Sequence, residues 1–354
     1  MHAFIAEWEL SAGTQHTYKL VQARFARWCA NVGVSALPAE GWAVAAWCAE
    51  LAAPKLDDTG TTLPGLRSST IQSTVMAVKY AHFVGGHPDP TVTREVVTVL
   101  AGIDRSDARA PTKRTPFEKD TLRRVVKRAL EPTRPGSVTA GEPSMQAAKD
   151  LSGTNLNAEL CSTQELERVS GRDEHERLTA YRDVALILVG YAGGLRCSEI
   201  TELRDEDLYF EERGVVIHIR RSKEDQAGVG AYVGIPNAED AELCPVRALQ
   251  RWLMARGTGT TYVFPGIAGR VVSNRPYSVS VAGRMVKART GDLGIPGDWG
   301  THSMRRGFCT SAARAGATLL QIGATTRHST IEGIRGYIAE AELEQRQAPN
   351  GVGL

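Results

Sequence analysis

One segment divides this chain and constrains its fold more than any other feature. The segment "DRSDARAPTKRTPF", Asp104 to Phe117, contains two prolines and few apolar side chains, so it is poorly suited to a core and is typical of an interdomain linker. Its basic residues are Arg105, Arg109, Lys113 and Arg114. A chain of 354 residues is also longer than one ordinary hydrophobic core supports. We therefore predict two domains, residues 1–103 and 117–354, joined by a basic linker at residues 104–116.

The first domain is predicted to be a bundle of four amphipathic helices with short loops. Their apolar residues recur at three- and four-residue steps, which places them along one face of a helix. The sets are Tyr18, Val21, Phe25, Trp28 and Val32; Trp42, Ala46 and Ala49; Ile71, Val75, Val78 and His82; and Val92, Val96, Val99 and Ile103. The first helix is expected to begin near Thr14 and the second at Pro38, a good first-turn residue. The third is expected to follow the capping candidates Ser68 and Ser69.

The second domain is predicted to be mainly helical with a small antiparallel sheet. Two β-rich segments, "GVVIHIRR" and "GAYVGIP", are joined by a loop containing glycines and predict a β-hairpin, and everything after Cys244 is expected to be helical. Residues 131–175 contain only eight large apolar or cysteine residues in 45 positions, which predicts a long loop or inserted segment. The predicted fold class is therefore mainly α, with an N-terminal helical bundle followed by a mainly helical domain.

Composition narrows the classes of function only a little. The net charge is +2, but residues 105–134 carry ten Lys or Arg against four Asp or Glu. Such a run is a solvated helical face about as often as it is a nucleic-acid site, so alone it decides nothing. No apolar run is long enough to span a bilayer, and "MHAFIAEWEL" lacks the pattern of a signal peptide. A cytoplasmic, nucleoid-associated location is expected.

The six cysteines do not indicate a metal site. They are scattered, with no CxxC pair and no histidine at metal-ligand spacing. Buried free thiols are the better interpretation, and we expect neither a bound metal nor a disulfide framework.

Several polar residues in the second domain together indicate phosphoryl chemistry. Their positions are Arg196 after a glycine pair, Lys223 in the hairpin loop, His302 and Arg305 on one helix face, and His328 nine residues before Tyr337. Arginines and a lysine can hold phosphate oxygens, histidines can move protons, and a tyrosine hydroxyl can act as a covalent nucleophile. Taken singly, each has an ordinary explanation: an arginine paired with an acid, a solvated lysine, a core tyrosine beside Ile334. Their conjunction is what favours chemistry.

These motifs resemble those of the tyrosine recombinases, the phage integrase family of site-specific DNA recombinases. The resemblance rests on "GGLRCSEI", "RRSKED", "HSMRRG" and "RHSTIEGIRGY", and on "HTYKLVQARFARWC" in the first domain, which is closest to the Cre-like branch. The family's catalytic set is matched by Arg196, Lys223, His302, Arg305, His328 and Tyr337. One departure is Thr326-Arg327, where many members have Leu-Gly before the last histidine.

The resemblance implies a mechanism and a role for each residue. Tyr337 is expected to attack a phosphodiester and leave a 3′-phosphotyrosyl link, while Arg196 and Arg305 hold the non-bridging oxygens. His302 is expected to assist proton transfer at the nucleophile. His328 would donate a hydrogen bond to the phosphate, and Lys223 would protonate the departing 5′ oxygen. Glu199, one turn after Arg196, would orient its neighbours, and neither a metal nor a nucleotide cofactor is required.

The resemblance also implies partners. Double-stranded DNA with a specific recombination site is the expected substrate, bound by a homodimer at one site and a homotetramer in the synaptic complex. The linker residues Arg105, Arg109, Lys113 and Arg114 are candidate phosphate contacts, and residues 1–103 would be a DNA-binding core-binding domain. A helix over residues 276–291 is a further candidate for contacting DNA. Its basic residues are Arg284, Lys287 and Arg289.

Other functions remain open at this point. A topoisomerase-like or telomere-resolving enzyme would use the same chemistry without exchange between two sites. A catalytically inert DNA-binding relative would keep the fold, although it would have no reason to retain all six residues together. A serine hydrolase is disfavoured, because the chain has no G-x-S-x-G motif.

Overall fold

The structure is a computed structural model that describes residues 10–109, 113–131, 174–220, 229–327 and 334–337. The chain divides into two compact units, Met1–Thr112 and Lys113–Leu354, and the division lies inside the predicted linker. The predicted mainly helical class with small antiparallel sheets is confirmed. Within the described ranges, no helix is long and apolar enough to cross a membrane.

The first unit is built from four helices and a short hairpin. They are α1 Ala12–Val32, α2 Gly41–Ala52, α3 Ser68–Gly85 and α4 Arg94–Ser106, with a 3₁₀ turn at Pro90–Val92 and strands β1 Lys55–Leu56 and β2 Thr62–Leu63. Phe25, Trp47, Ile71 and Val96 meet in a core to which every one of these helices contributes. The four predicted helices are therefore present, and α4 continues into the first residues of the predicted linker.

Two details of the predicted second helix are wrong. Helix α2 begins at Gly41 and not at Pro38, because Glu40 has an extended backbone (φ −79°, ψ 146°). Its predicted apolar face, Trp42, Ala46 and Ala49, is exposed. The buried face is the neighbouring stripe of Val44, Trp47, Cys48 and Leu51. Since α2 is apolar on nearly all sides, periodicity could not choose between two stripes, and the bulkier one buries more area.

The N-terminus of α3 is capped differently from the prediction. Ser68 is already inside the helix, and its backbone N–H donates to Asp107 Oδ2 at 2.8 Å while its hydroxyl donates to Asp104 Oδ1 at 2.7 Å. Both carboxylates come from the end of α4 and the residue beyond it. The cap is therefore supplied across the bundle, which a local motif search cannot detect.

The second unit is arranged around one buried helix. Its helices are α5 Lys119–Leu130, α6 Glu174–Ala192, α7 Cys197–Thr201, α8 Pro245–Arg256, α9 Val279–Gly291, α10 His302–Arg314 and α11 Leu319–Thr326, with 3₁₀ turns at Asp205–Asp207 and Ala241–Leu243. Helix α6 is buried on all sides from Ala180 to Gly190, and α5, α8 and α10 pack against it. It starts at Glu174, inside the last residues of the predicted insertion, and residues 132–173 of that insertion lie outside the described residues.

Two sheets belong to this unit. Strands β3 Leu208–Glu211, β4 Gly214–Ile219 and β5 Ala231–Pro236 form an antiparallel sheet in the order β3-β4-β5. The predicted hairpin is β4–β5, and β3 was not predicted. Strands β6 Pro265–Ala268 and β7 Val271–Pro276 form a second hairpin. The prediction that everything after Cys244 is helical is therefore wrong at this hairpin. The sequence pattern did not reveal β7, because this strand is largely exposed and lacks an alternating apolar face.

Residues 113–117 belong to the second unit by their hydrogen bonds. The Thr115 N–H donates to the Asp298 carbonyl at 2.9 Å, and the Phe117 N–H donates to the Ser303 carbonyl at 3.1 Å. Gly307 allows this close approach, since a Cβ there would lie 2.4 Å from the Phe117 carbonyl oxygen. The glycine of "HSMRRG" therefore lets the chain before α5 lie directly on α10.

Candidate active site

A glycine turn after α6 presents the first arginine. Gly194 has φ +53°, a left-handed conformation that glycine adopts freely, and the chain then enters α7 with Arg196 as its N-cap residue. The Arg196 N–H donates to Glu199 Oε2 at 2.8 Å, and its Nη1 donates to Glu199 Oε1 at 2.9 Å. The buried Glu199 carboxylate therefore accepts from both the backbone and the guanidinium of Arg196, and its orienting role stays a prediction.

Arg305 reaches the same turn from α10. Its side chain is 1% exposed, and its Nη1 donates to the Gly194 carbonyl at 2.7 Å. The Nη2 atom is buried and has no hydrogen-bond partner in the described part of the protein. A buried N–H without a partner is costly, so an acceptor that reached this atom would remove that cost.

His302 and Tyr337 meet at the start of α10. The Tyr337 hydroxyl lies 3.4 Å from His302 Nε2, within reach of a hydrogen bond. The tyrosine ring is 8% exposed and packs with Cys309, Ile322 and Ile334, while its hydroxyl faces the histidine. Tyr337 is thus a core tyrosine by its ring, as the simpler interpretation expected, and it also presents its hydroxyl to a proton acceptor.

Positive charge dominates the electrostatics of this region. Burial, and then the charge of Arg196, lower the pKa of Arg305 to about 10. The pKa of His302 is also lowered. The largest cause is desolvation of the ring by the surrounding protein, although part of the side chain is open to solvent, and the next is repulsion by the guanidinium groups of Arg305 and Arg306. The imidazole is therefore neutral at pH 7 and can accept a proton.

Two arginines outside the predicted catalytic set belong to this cluster. Arg306 places its guanidinium carbon 5.4 Å from the centre of the Tyr337 ring, in a cation–π arrangement. The Arg327 Nη2 donates to Glu199 Oε2 at 2.6 Å. Each had a signal in the sequence: Arg306 follows Arg305 in "HSMRRG", and Arg327 occupies the position where the family motif departs.

The structure thus brings together four of the six predicted catalytic residues. Arg196, His302, Arg305 and Tyr337 lie around the Gly194 turn and the start of α10. Lys223 and His328 lie outside the described residues.

The candidate DNA-binding residues fall into two groups. Arg105, Lys113, Arg284 and Lys287 are exposed. Three others are held by internal bonds. Arg109 donates to the Gly65 and Leu66 carbonyls, Arg114 pairs with Asp298, and Arg289 donates to the buried Asp183 at 2.7 Å. The second group therefore has structural roles that the sequence did not indicate.

The described residues contain no group of three or more His, Cys, Asp or Glu side chains that could hold a metal ion. The five cysteines in the described ranges are free thiols, and Cys161 lies outside those ranges.

Comparison with known proteins identifies the family. The profile of the phage integrase family matches residues 162–344, slightly more than half of the chain. An integrase/recombinase xerD homolog of Selenomonas ruminantium is 38% identical over 180 residues, covering 50% of this chain and 52% of that protein. This chain therefore belongs to the phage integrase family. It spans about half the length of the curated relatives it matches, and its predicted position in the Cre-like branch stays a prediction.

Solved structures agree with the fold. The Tn1549 transposon integrase in complex with transposon right-end DNA has a TM-score of 0.52 at 18% identity, covering 97% of this chain and 96% of that one. A lambda integrase dimer bound to a COC′ core site has a TM-score of 0.54 at 12% identity, covering 95% and 91%. At these identities the likeness concerns the fold alone.

Proposed function

We propose that this protein is a site-specific DNA recombinase that cuts and rejoins strands through a covalent 3′-phosphotyrosyl intermediate. The observation that carries the proposal is the approach of the Tyr337 hydroxyl to His302 Nε2 at 3.4 Å, beside the arginine cluster. A nucleophile, a neutral base and two guanidinium groups are the components that metal-independent phosphoryl transfer needs. The names of its relatives, an integrase/recombinase and tyrosine recombinases, support the same activity.

The proposed chemistry starts from the contact between Tyr337 and His302. A phenol has an ordinary pKa of about 10, so the attacking oxygen needs a proton acceptor and nearby cations at neutral pH. The Tyr337 oxygen forms a bond to phosphorus, the bond from phosphorus to the 5′ oxygen breaks, and His302 Nε2 accepts the phenolic proton. Lys223, in the role that the family resemblance implies, donates a proton to the departing 5′ oxygen. A 5′ hydroxyl of a second strand then attacks the phosphotyrosine and gives its proton to the neutral Lys223. The bond from phosphorus to the Tyr337 oxygen breaks, and His302 returns the proton to that oxygen, which converts cleavage into strand exchange.

The two arginines stabilise the charge that develops on the phosphate. Arg305 offers a buried N–H that the described protein leaves without a partner, and Arg196 is fixed by Glu199. A phosphate oxygen satisfies the Arg305 donor and relieves the repulsion between the two guanidinium groups. The proposed substrate is duplex DNA with a recombination site, bound by a dimer and brought together in a tetramer, at the nucleoid in the cytoplasm.

The test of the proposal is trapping of the covalent intermediate. The full chain is incubated, in EDTA, with nicked duplexes whose flanking sequence is first enriched for binding from a random pool. Cleavage near the nick releases a short 5′-hydroxyl fragment, so religation is lost and the adduct accumulates. We expect a protein–DNA adduct on a denaturing gel and a nucleotide-modified Tyr337 peptide by mass spectrometry.

Three outcomes would speak against the proposal: no adduct on any enriched duplex, an adduct at another residue, or an adduct that EDTA abolishes. Adduct formation followed only by relaxation of supercoils, without exchange between two sites, would identify the topoisomerase-like alternative.

The exposed basic residues of α9 are proposed to contact the DNA backbone. Arg284→Ala and Lys287→Ala should each weaken binding about equally on all sequences, because a phosphate contact carries no sequence information. Each should also reduce the slope of log affinity against log salt by about 0.9, as expected for one neutralised phosphate. Fluorescence anisotropy at several salt concentrations measures both effects.

Arg289→Ala provides the matched comparison on the same helix. Because Arg289 donates to the buried Asp183, we expect its loss to destabilise the protein by about 2 kcal/mol with an unchanged salt slope. Urea denaturation measures the stability. An unchanged slope in Arg284→Ala and Lys287→Ala would remove α9 from the interface.

The pH dependence of His302 gives a further prediction. Its pKa in the folded protein lies below the ordinary value of 6.5, so the unfolded chain takes up this proton first as the pH falls. Stability should therefore decrease below pH 6.5, and cleavage should be lost in the same direction as the base becomes protonated. In an NMR titration of the free protein, Arg306→Gln should shift the His302 midpoint upward, because a repelling charge is removed. A midpoint above 6.5 in the unaltered protein would contradict the prediction.

A further inference from the structure

The departure from the family motif coincides with an unusual backbone conformation. Among the residues that the structure describes, Arg327 is the one non-glycine residue in the left-handed region, with φ 55° and ψ 47°. It ends α11, and its N–H donates to the Gly323 carbonyl at 2.7 Å. Glycine adopts this conformation without steric cost, whereas an L-residue with a branched or long side chain does not. An arginine here therefore carries a backbone cost that the more usual glycine avoids.

Both terminal nitrogens of Arg327 have internal partners, whereas its buried Nε has no hydrogen-bond partner among the described residues. Its Nη2 donates to Glu199 Oε2 at 2.6 Å, and its Nη1 donates to the Thr325 carbonyl at 2.7 Å. The side chain is 11% exposed and that of Glu199 is 1% exposed, so this ion pair is shielded from water. A shielded, charge-assisted pair has a more defined geometry than a surface pair.

The same two residues hold Arg196. Glu199 Oε1 accepts from Arg196 Nη1 at 2.9 Å, and the Arg327 carbonyl accepts from Arg196 Nη2 at 3.2 Å. The three residues thus form a closed ring: the Arg196 side chain to Glu199, Glu199 to the Arg327 side chain, and the Arg327 backbone carbonyl back to Arg196. Both terminal nitrogens of Arg196 are anchored by this ring.

In the left-handed conformation, Arg327 contributes two contacts to the ring, one from its backbone and one from its side chain. Its backbone presents the carbonyl to Arg196 while its side chain turns to Glu199. With glycine at this position, the carbonyl contact can persist, but the buried Glu199 carboxylate loses one of its two cationic partners. A buried carboxylate with fewer donors is held less firmly, and Arg196 depends on that carboxylate for its position.

We propose that Arg327 is a positioning residue for Arg196, acting through Glu199. The inference rests on the proposed function and adds to it a third guanidinium that does not itself touch the reacting phosphate. Its role is to fix Glu199 and thereby to hold the Arg196 guanidinium in place for a phosphate oxyanion of the DNA backbone.

Arg327→Gly separates the side chain from the backbone, because glycine keeps the left-handed conformation. The rate of adduct formation at saturating suicide substrate should fall by about 10²-fold, as expected for a displaced catalytic group, while DNA affinity changes little. Because the lost ion pair is shielded from water, Arg327→Gly should also be less stable, so rates are compared at a temperature at which both proteins are fully folded by circular dichroism. Methylguanidinium should restore part of the rate to Arg327→Gly. Arg213→Gly, which removes an exposed arginine from the β3–β4 turn, should cleave at the unaltered rate.

A double-mutant cycle tests the route through Glu199. If Arg327 acts on Arg196 through this carboxylate, Arg327→Gly should add little to the loss caused by Glu199→Gln. Additive losses, or a rate in Arg327→Gly equal to that of the unaltered protein, would overturn the inference.

A crystal structure of Arg327→Gly and calorimetric titration with inorganic phosphate do not depend on recombinase activity. The Arg196 guanidinium should be displaced, and phosphate should bind more weakly than to the unaltered protein. If the unaltered protein formed no adduct, the recombinase proposal would fail, and these two measurements would still decide the role of Arg327. An unmoved Arg196 with unchanged phosphate affinity would refute that role.

Discussion

Tyr337→Phe should abolish the covalent adduct while leaving a folded protein that binds DNA with unchanged affinity. The substitution removes one oxygen and keeps the ring that packs with Cys309, Ile322 and Ile334. The lost hydroxyl is the group that lies 3.4 Å from His302 Nε2. No other tyrosine in the described ranges is hydrogen-bonded to His302, so no substitute nucleophile is in place. Denaturing gels measure the adduct, and anisotropy measures binding.

Tyr191→Phe is the matched control for this experiment. Tyr191 lies in the same unit, is half-buried, and donates its hydroxyl to Ser311 Oγ at 2.8 Å. Its loss removes a comparable hydroxyl outside the candidate site, so the adduct should form as in the unaltered protein. An adduct that persists in Tyr337→Phe, or that disappears in Tyr191→Phe, would show that a different group performs the attack.

The helices were predictable where one face alone is apolar, and less so elsewhere. Helix α1 follows its predicted stripe, with Phe25 buried and Val21 and Trp28 partly buried. For helix α2, apolar periodicity predicted the wrong buried face, because apolar residues surround this helix and it could bury either of two stripes. The hairpin β6–β7 was missed for the opposite reason: its strands bury little, so they leave no alternating pattern.

The candidate catalytic residues could be selected because they fall in short motifs, whereas their supporting contacts are distant in sequence. Arg289 binds Asp183, 106 residues away, and Arg327 binds Glu199, 128 residues away. A basic residue that serves the fold and one that serves DNA have the same sequence signal. Only the identity of the partner distinguishes them, and long-range contacts supply that partner.

Arg305 is the second residue whose replacement should have a large effect, and here stability and activity should move in opposite directions. Its guanidinium is 1% exposed and lies near Arg196 and Arg327, and its pKa is lowered to about 10 by burial and by these charges. The folded state therefore disfavours the charged form. Because each pKa unit corresponds to about 1.4 kcal/mol, the cost at neutral pH is on the order of 3 kcal/mol.

Arg305→Met keeps an unbranched apolar side chain and removes this charge, at the expense of the hydrogen bond to the Gly194 carbonyl. We expect a protein at least as stable as the unaltered one in urea denaturation, with cleavage slower by 10²-fold or more, since one buried oxyanion contact contributes about 3–4 kcal/mol to the transition state. Arg305→Lys should regain charge but not the planar fork, and should recover only part of the rate.

Inorganic phosphate should raise the melting temperature of the unaltered protein more than that of Arg305→Met, because only the former gains a partner for Nη2. A strongly destabilised Arg305→Met, or one that cleaves at the unaltered rate, would show that this guanidinium holds the fold and does not await a phosphate.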